Sequence, residues 1–285
     1  MSFRTVVIKE RSKLDLKLNY LVCRNDREVK VFIPEISCLI LESTAISLTS
    51  ALVSELVKNN VKIIFCDEKH NPESEVCAYY GNYNNSKKIK LQIEWKHSTR
   101  EHVWAMIVKD KIAKQQKFLE ELNLNSEADL LGSYITEVEL NDKTNREGHA
   151  AKVYFNAVFG MDFGRRNVSF INSALNYGYA ILLSIFNREI AKNGYLTQLG
   201  IWHKNEFNSY NLSSDLMEPF RVLVDRLVYP LEEGCDFKMK VLEIFNVQVK
   251  IDGKQQYLEN AISLYCQSIF LALENDDTDF IKFYE

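Results

Sequence analysis

His70-Asn-Pro-Glu-Ser-Glu75 and Tyr83-Asn-Asn-Ser86 bracket a short apolar run, Val76–Tyr80, and separate two textures of sequence. Clustered Asn, Pro and Ser interrupt regular structure, so this stretch reads as a boundary. It predicts a domain over 1–75, a linker over 76–86 and a second domain over 87–285. Upstream, Arg4–Ile8, Tyr20–Arg24, Val29–Pro34 and Ser37–Leu41 are short Val/Ile/Leu-rich runs. Turn formers such as Asn25-Asp26 part them, as expected of strands. One helix interrupts near Leu48–Asn59, where Leu48, Leu52, Val53, Leu56 and Val57 recur at helical spacing. A buried strand, Lys62–Cys66, follows. Downstream, helical periodicity runs through Ile89–Leu122, Ala174–Ile190, Phe220–Leu231 and Leu258–Leu273. The expected fold class is α+β, a small N-terminal β-rich domain followed by a larger all-α domain. The acidic tail Glu274–Asp279 is expected to fray.

With 285 residues, 46% of them apolar, the chain can bury a substantial core, and its four Pro and ten Gly argue against long linkers. No stretch approaches 18 uninterrupted apolar residues, so no membrane span is expected. Arg4 and Lys9 interrupt the amino-terminal apolar run, so no signal peptide is expected and the location implied is cytoplasmic. The six cysteines show no close spacing. Most sit in apolar runs such as Ile63-Ile-Phe-Cys66, as small buried hydrophobes.

The net charge of −4 is unevenly spread. Residues 1–100 carry 16 Lys/Arg against 12 Asp/Glu, and residues 151–200 carry five against two. Nucleic-acid affinity depends on where positive charge lies, so a DNA-binding face is permitted. Lys87, Lys88 and Lys90 cluster at the domain junction. Lys109, Lys111, Lys114 and Lys117 follow on a helix, as a phosphate track or as ordinary solvation.

Three segments carry candidate chemistry: Glu147-Gly-His-Ala-Ala-Lys-Val-Tyr-Phe155, Gly200-Ile-Trp-His203, and Asp215-Leu-Met-Glu-Pro-Phe-Arg-Val-Leu-Val-Asp225. Glu147, His203 and Glu218 form a mixed oxygen and nitrogen donor set suited to a hard or borderline divalent cation. Such a site polarises a phosphoryl oxygen and activates a hydroxyl. On a helix Glu147 shares a face with Ala151 and Tyr154, whereas His149 points away. Asp215, Glu218 and Asp225 can line one helical face. Ser213, Ser214 or Asp215 can cap it, and Arg221 and Asp225 make an ordinary i, i+4 pair. Arg165 and Arg166 suit phosphate contacts or form a solvated loop pair. Asn172, Asn176, Tyr177 and Tyr179 fit a polar helix–helix interface. Trp95, Trp104, Lys111 and Gln115 read chiefly as part of an aromatic core.

Together with Asn172-Ser-Ala-Leu-Asn-Tyr-Gly-Tyr179, these segments resemble the CRISPR-associated endonuclease and integrase Cas1 over nearly the whole chain, with the type II form most similar. The resemblance implies that Glu147, His203 and Glu218 bind a catalytic Mg²⁺ or Mn²⁺, with Asp215 at the edge of the site. It implies joining of 3′-hydroxyl ends of short DNA fragments to a CRISPR repeat by transesterification. A structure-specific endonuclease and a non-catalytic DNA-binding scaffold are the alternatives. It further implies a homodimer formed through the β domains, bridging by a Cas2 dimer, and the type II effector nuclease and an accessory protein as partners. Many family members have Arg where Lys152 stands, so Lys152 lacks the bidentate fork for phosphate. Lys152, Arg165, Arg166, Lys87, Lys88 and Lys109 are the candidate double-stranded DNA contacts.

Overall fold

The computed structural model describes residues 4–76 and 83–285, and the chain divides into two compact units, Met1–Gly81 and Asn82–Glu285. Most of the expected linker, and Cys77 within it, lies outside the described residues.

The first unit is built from β1 (Arg4–Ile8), β2 (Ser12–Lys17), β3 (Tyr20–Arg24), β4 (Glu28–Phe32), β5 (Ile36–Leu41), β6 (Ile46–Leu48), α1 (Ser50–Lys58), β7 (Lys62–Cys66) and β8 (Pro72–Glu75). These strands form two four-stranded sheets, ordered β1-β5-β7-β8 and β4-β3-β2-β6. β5 pairs parallel with both β1 and β7. Every one of its residues is buried, as its unbroken apolar run requires. β2, β6 and β8 were not foreseen. In β2, Leu14 and Leu16 alternate with Lys13, Asp15 and Lys17, a half-buried pattern with only two apolar members. Leu18 and Asn19 join β2 to β3 with φ of 49° and 63°, the left-handed pair of a two-residue hairpin turn. Leu14, Leu21, Ile36, Leu39, Leu52 and Ile63 anchor the core. Thr49 caps α1 by accepting from the Leu52 N–H.

The second unit comprises α2 (Asn85–Glu94), α3 (His97–Glu121), α4 (Asn125–Glu137), α5 (Arg146–Phe159), α6 (Phe170–Lys192), α7 (Asn211–Met217), α8 (Arg221–Val228), α9 (Phe237–Val241), β9 (Gln248–Ile251), β10 (Lys254–Tyr257) and α10 (Leu258–Asn275). It is therefore helical but not all-α. Val249 and Ile251 turn inward on β9, and Asp252-Gly253, both at positive φ, close the hairpin. Asp-Gly between such runs is a strong hairpin signal, overlooked beside the long helices. The helical pattern over Ile89–Leu122 breaks at Trp95-Lys96, whose extended backbone seats the Trp95 ring 5.4 Å from Tyr195.

α6 is the buried axis of this unit, capped by Ser169, whose side chain accepts from the Asn172 N–H. A Cβ at Gly178 would collide with Val224 of α8 and stand 3.0 Å from Val241 of α9, so this glycine permits their close packing. The acidic tail does not fray. Glu274 pairs with Lys88, Asp276 accepts from Thr99 Oγ1 at 2.8 Å, and Tyr284 is buried with its hydroxyl donating to the Pro219 carbonyl at 2.9 Å. Cys38, Cys66 and Cys266 are buried, Cys23 half-buried and Cys235 exposed. No helix among the described residues is long and apolar enough to cross a membrane.

Candidate metal and phosphoryl-transfer site

Glu147 stands in the first turn of α5. The Asp142 carboxylate serves that helix end, accepting from the Arg146 N–H at 2.8 Å and the Glu147 N–H at 3.0 Å. A Cβ at Gly148 would stand 2.7 Å from Asn145 Oδ1, so glycine fits this tight entry. Ala150, Tyr154 and Val158 are the buried positions of α5.

Glu218 begins a 3₁₀ turn, Glu218–Phe220, where Pro219 breaks the run from α7 into α8. The three acidic residues of this segment meet different partners. Asp215 faces the His203 loop, Glu218 faces Lys111 of α3, and Asp225 faces two tyrosines.

Lys111 of α3 joins the two glutamates. Its ammonium lies 2.5 Å from Glu147 Oε1 and 2.5 Å from Glu218 Oε2. The other Glu218 oxygen accepts from Arg221 Nε at 2.9 Å. Burial would raise the Glu218 carboxyl, but the Arg221 and Lys111 cations outweigh it and hold the pKa at about 2. Burial also works against the Lys111 cation, yet Glu218 and Glu147 together raise its pKa above the ordinary lysine value. Neither Lys111 nor Arg221 was foreseen at the site. A signal for Lys111 existed: on α3 it is surrounded by Ile107, Val108 and Ile112, all fully buried. A lysine there calls for an internal anionic partner. Arg221 pairs with Glu218, not with Asp225 as helical spacing suggested.

Asp215 is fully buried and caps no helix. Its Oδ2 accepts from the N–H groups of Ile201 at 2.6 Å and Trp202 at 3.0 Å. Its Oδ1 accepts from the His203 N–H at 3.1 Å and meets His203 Nδ1 at 2.6 Å. Gly200 allows this wrapping, because a Cβ there would strike the His203 carbonyl and stand 2.7 Å from Asp215 Oδ2. Trp104 stacks on Trp202 with ring centres 5.8 Å apart and makes a T-shaped contact with the His203 ring at 5.7 Å. The hydrogen bond to Asp215 raises the His203 pKa against partial burial, and the nearby charges of Glu218 and Glu147 add to the rise. With Nδ1 committed to Asp215, Nε2 is the ring nitrogen left for a ligand or a proton.

Asp225 accepts from the Tyr154 hydroxyl at 2.9 Å and from the Tyr179 hydroxyl, tying α5, α6 and α8 together. Burial lifts its pKa to about 6 despite these donors. The Tyr179 ring stands 5.2 Å from the Arg165 guanidinium and 4.8 Å from that of Arg221. Arg165 also donates to the side-chain oxygens of Asn172 at 2.5 Å and Asn176 at 2.8 Å, which draws the loop before α6 against that helix. Lys152, Arg166, Lys87 and Lys109 are exposed, while Lys88 is engaged by Glu274. The expected track along α3 is interrupted: Lys111 and Lys114 are buried, Lys114 paired with Asp110 and 4.0 Å from the Tyr284 ring centre.

Two carboxylates and an imidazole suit a divalent cation by donor type, and Glu147 and Glu218 already share one cation, the Lys111 ammonium. Among the described residues no three His, Cys, Asp or Glu side chains stand together as a ready ligand set. Lys111 stands between the glutamates, and His203 Nδ1 is turned to Asp215.

Residues 5–258 match the family model described as CRISPR associated protein Cas1. The CRISPR-associated endonuclease Cas1 of Neisseria meningitidis serogroup C (strain 8013) is 32% identical over 242 residues, covering 85% of this chain and 80% of that protein. A structure described as a casposase bound to integration product superposes with a TM-score of 0.77 at 19% identity, covering 97% of this chain and 92% of that one. Another, described as a Cas6-RT-Cas1–Cas2 complex, gives a TM-score of 0.69 at 16% identity, covering 98% of this chain and 36% of that longer chain. These two share the fold; the family model and the Neisseria relative go further, and the chain belongs to the CRISPR-associated Cas1 family.

Proposed function

We propose that this chain is a divalent-metal-dependent DNA integrase of CRISPR adaptation, of the type II form, that joins 3′-hydroxyl ends of short DNA fragments to the CRISPR repeat by transesterification. The meeting of Glu147 and Glu218 on one cation position beside His203 carries this reading. Glu147, Glu218 and His203 Nε2 would hold Mg²⁺ or Mn²⁺. A bound ion supplies Lewis acidity toward the attacking hydroxyl and the phosphoryl oxygen. Asp215 fixes the His203 ring and so aims Nε2, as a ligand or as a proton carrier. Arg165 and Arg221, both beside the Tyr179 ring, suit phosphate oxygens through their planar donor forks. Lys87, Lys109, Lys152 and Arg166 offer exposed charge for the DNA backbone, and Lys88 joins them if it leaves Glu274. One phosphodiester replaces another, so the reverse reaction uses the same groups.

The partners proposed are double-stranded DNA, a second copy of the chain through the β-rich unit, and a Cas2 dimer. The name of the Cas6-RT-Cas1–Cas2 relative supports the last. A type II effector nuclease, an accessory protein and a cytoplasmic location complete the proposal. The name of the Neisseria relative, an endonuclease, favours a second reading, in which water replaces the 3′-hydroxyl as nucleophile at the same site.

The test incubates the protein and its Cas2 partner with a fluorescent 3′-hydroxyl fragment, a supercoiled repeat plasmid and Mn²⁺. Glu147→Ala and Glu218→Ala run alongside, with an EDTA control. Label joined covalently to plasmid by the wild type alone supports integration at this site. Nicking without label transfer supports the nuclease. Transfer that survives both substitutions, or survives EDTA, refutes the assignment.

A further inference from the structure

Lys111 stands where the two proposed metal ligands meet. Its ammonium is 2.5 Å from an oxygen of each glutamate, and Arg221 takes the second Glu218 oxygen. Glu218 therefore has no oxygen without a cation on it. A Mg²⁺ or Mn²⁺ ion bonds carboxylate oxygens at about 2.1 Å, so an ion on the oxygens Lys111 now uses would crowd a like charge in a buried setting. One cation must yield. Of the two glutamates Arg221 pairs with Glu218, and it is braced by the Tyr179 ring at 4.8 Å. Lys111 bridges both carboxylates through a flexible four-carbon stem whose donors rotate.

A second, independent feature supplies a place for it to go. Gln115 lies one helical turn beyond Lys111 on the same face of α3 and is 4% exposed. Its Oε1 is buried without a hydrogen-bond partner among the described residues. Buried acceptors of this kind are uncommon and call for an explanation.

We infer that Lys111 is an internal counter-ion that a divalent cation displaces from between Glu147 and Glu218, and that the buried Gln115 carbonyl accepts the displaced ammonium. Lys111 keeps two nearby carboxylates together before the ion arrives, and its removal from their shared oxygens opens the ligand set. Lys111 and Gln115 are thus positioning residues. The inference rests on Glu147 and Glu218 being metal ligands, and the experiment separates the two questions.

Mn²⁺ binding to the protein without DNA, measured by titration with electron paramagnetic resonance detection, supplies the test. Thermal unfolding is followed in parallel with and without Mn²⁺. Lys111→Met should bind Mn²⁺ at least about tenfold more tightly than wild type, since a like charge leaves the site. Its melting temperature should be lower than wild type without Mn²⁺ and recover with it. Lys111→Gln keeps polar contacts without the charge, and should show the same gain in affinity if the Met variant does not fold. Gln115→Met should bind several-fold more weakly, because the displaced ammonium loses its acceptor. Equal or weaker Mn²⁺ binding in a folded, uncharged Lys111 variant overturns the counter-ion, as does unchanged binding in Gln115→Met for the acceptor. Should Glu147→Gln and Glu218→Gln bind Mn²⁺ like wild type, the ligand assignment itself fails and the inference with it.

Discussion

Replacing Asp215 with alanine removes one buried carboxylate that serves four donors: the N–H groups of Ile201, Trp202 and His203, and His203 Nδ1. A buried donor left without an acceptor costs about 1–3 kcal/mol. Water entering the vacated volume restores some of that. The net loss should therefore fall near about 3–5 kcal/mol, the range for removing one partner of a buried charged pair. In a chain of this size that lowers the melting temperature by about 6–15 °C. Asp215→Asn keeps the volume but turns one acceptor into a donor facing N–H groups, so about 2–3 kcal/mol should be lost. The substitution also takes away the main cause of the raised His203 pKa. Because the wild-type value is raised, the stability it brings is fully present below the ordinary histidine pKa and fades as pH climbs through the folded value. In Asp215→Ala that pH dependence should shrink and the His203 pKa should fall, because only the smaller pull of Glu218 and Glu147 is left to oppose burial. Urea unfolding across pH 5–9, with the His203 ring carbon followed by NMR, measures both. An Asp215→Ala protein within about 1 kcal/mol of wild type, with His203 titrating as before, would refute this account of the loop.

Gly200→Ala should disturb the same loop through sterics alone, because its Cβ strikes the His203 carbonyl; about 1–3 kcal/mol of lost stability is expected in thermal unfolding, with the His203 resonance shifted. Gly178→Ala should cost a similar about 1–3 kcal/mol, since Val224 and Val241 must move, and a Val224→Ala second change should recover part of it in a double-mutant cycle. Asp225 titrates near about 6 instead of 3.8, so its contribution is fully present below the lower value and is lost as pH rises through the upper one. That window is worth about 3 kcal/mol. Asp225→Asn should flatten it, with the wild type losing ground against the variant between pH 4 and 7.5 in urea titrations.

Much of the architecture was legible along the chain because it depends on local periodicity. β1, β3 and β7 fall where Val- and Ile-rich runs placed them, and α6 and α10 where apolar residues recur at helical spacing. β2 and the β9–β10 hairpin were missed for a physical reason: strands with two inward apolar residues look weak until a partner strand and a turn are supplied. The break at Trp95-Lys96 depends on Tyr195, a hundred residues away in sequence. The tail is held by Lys88, Lys96 and Thr99, which no property of the tail itself announces.

For the candidate site, sequence alone supplied the residue types, two carboxylates and an imidazole in three distinctive segments, together with the small residues Gly148, Gly178 and Gly200 that permit close approach. Only tertiary structure decided how those groups are used. Asp215 and Glu218 are three residues apart, yet the surrounding packing gives one to the His203 loop and the other to Lys111. Lys111 reaches Glu147 across 36 residues and Glu218 across 107. A lysine on an apolar helical face signals that some anion must meet it, because a buried charge without a counter-charge is too costly to keep. Which anion it meets is settled by the packing of α3 against α5 and the turn before α8, and no local pattern contains that.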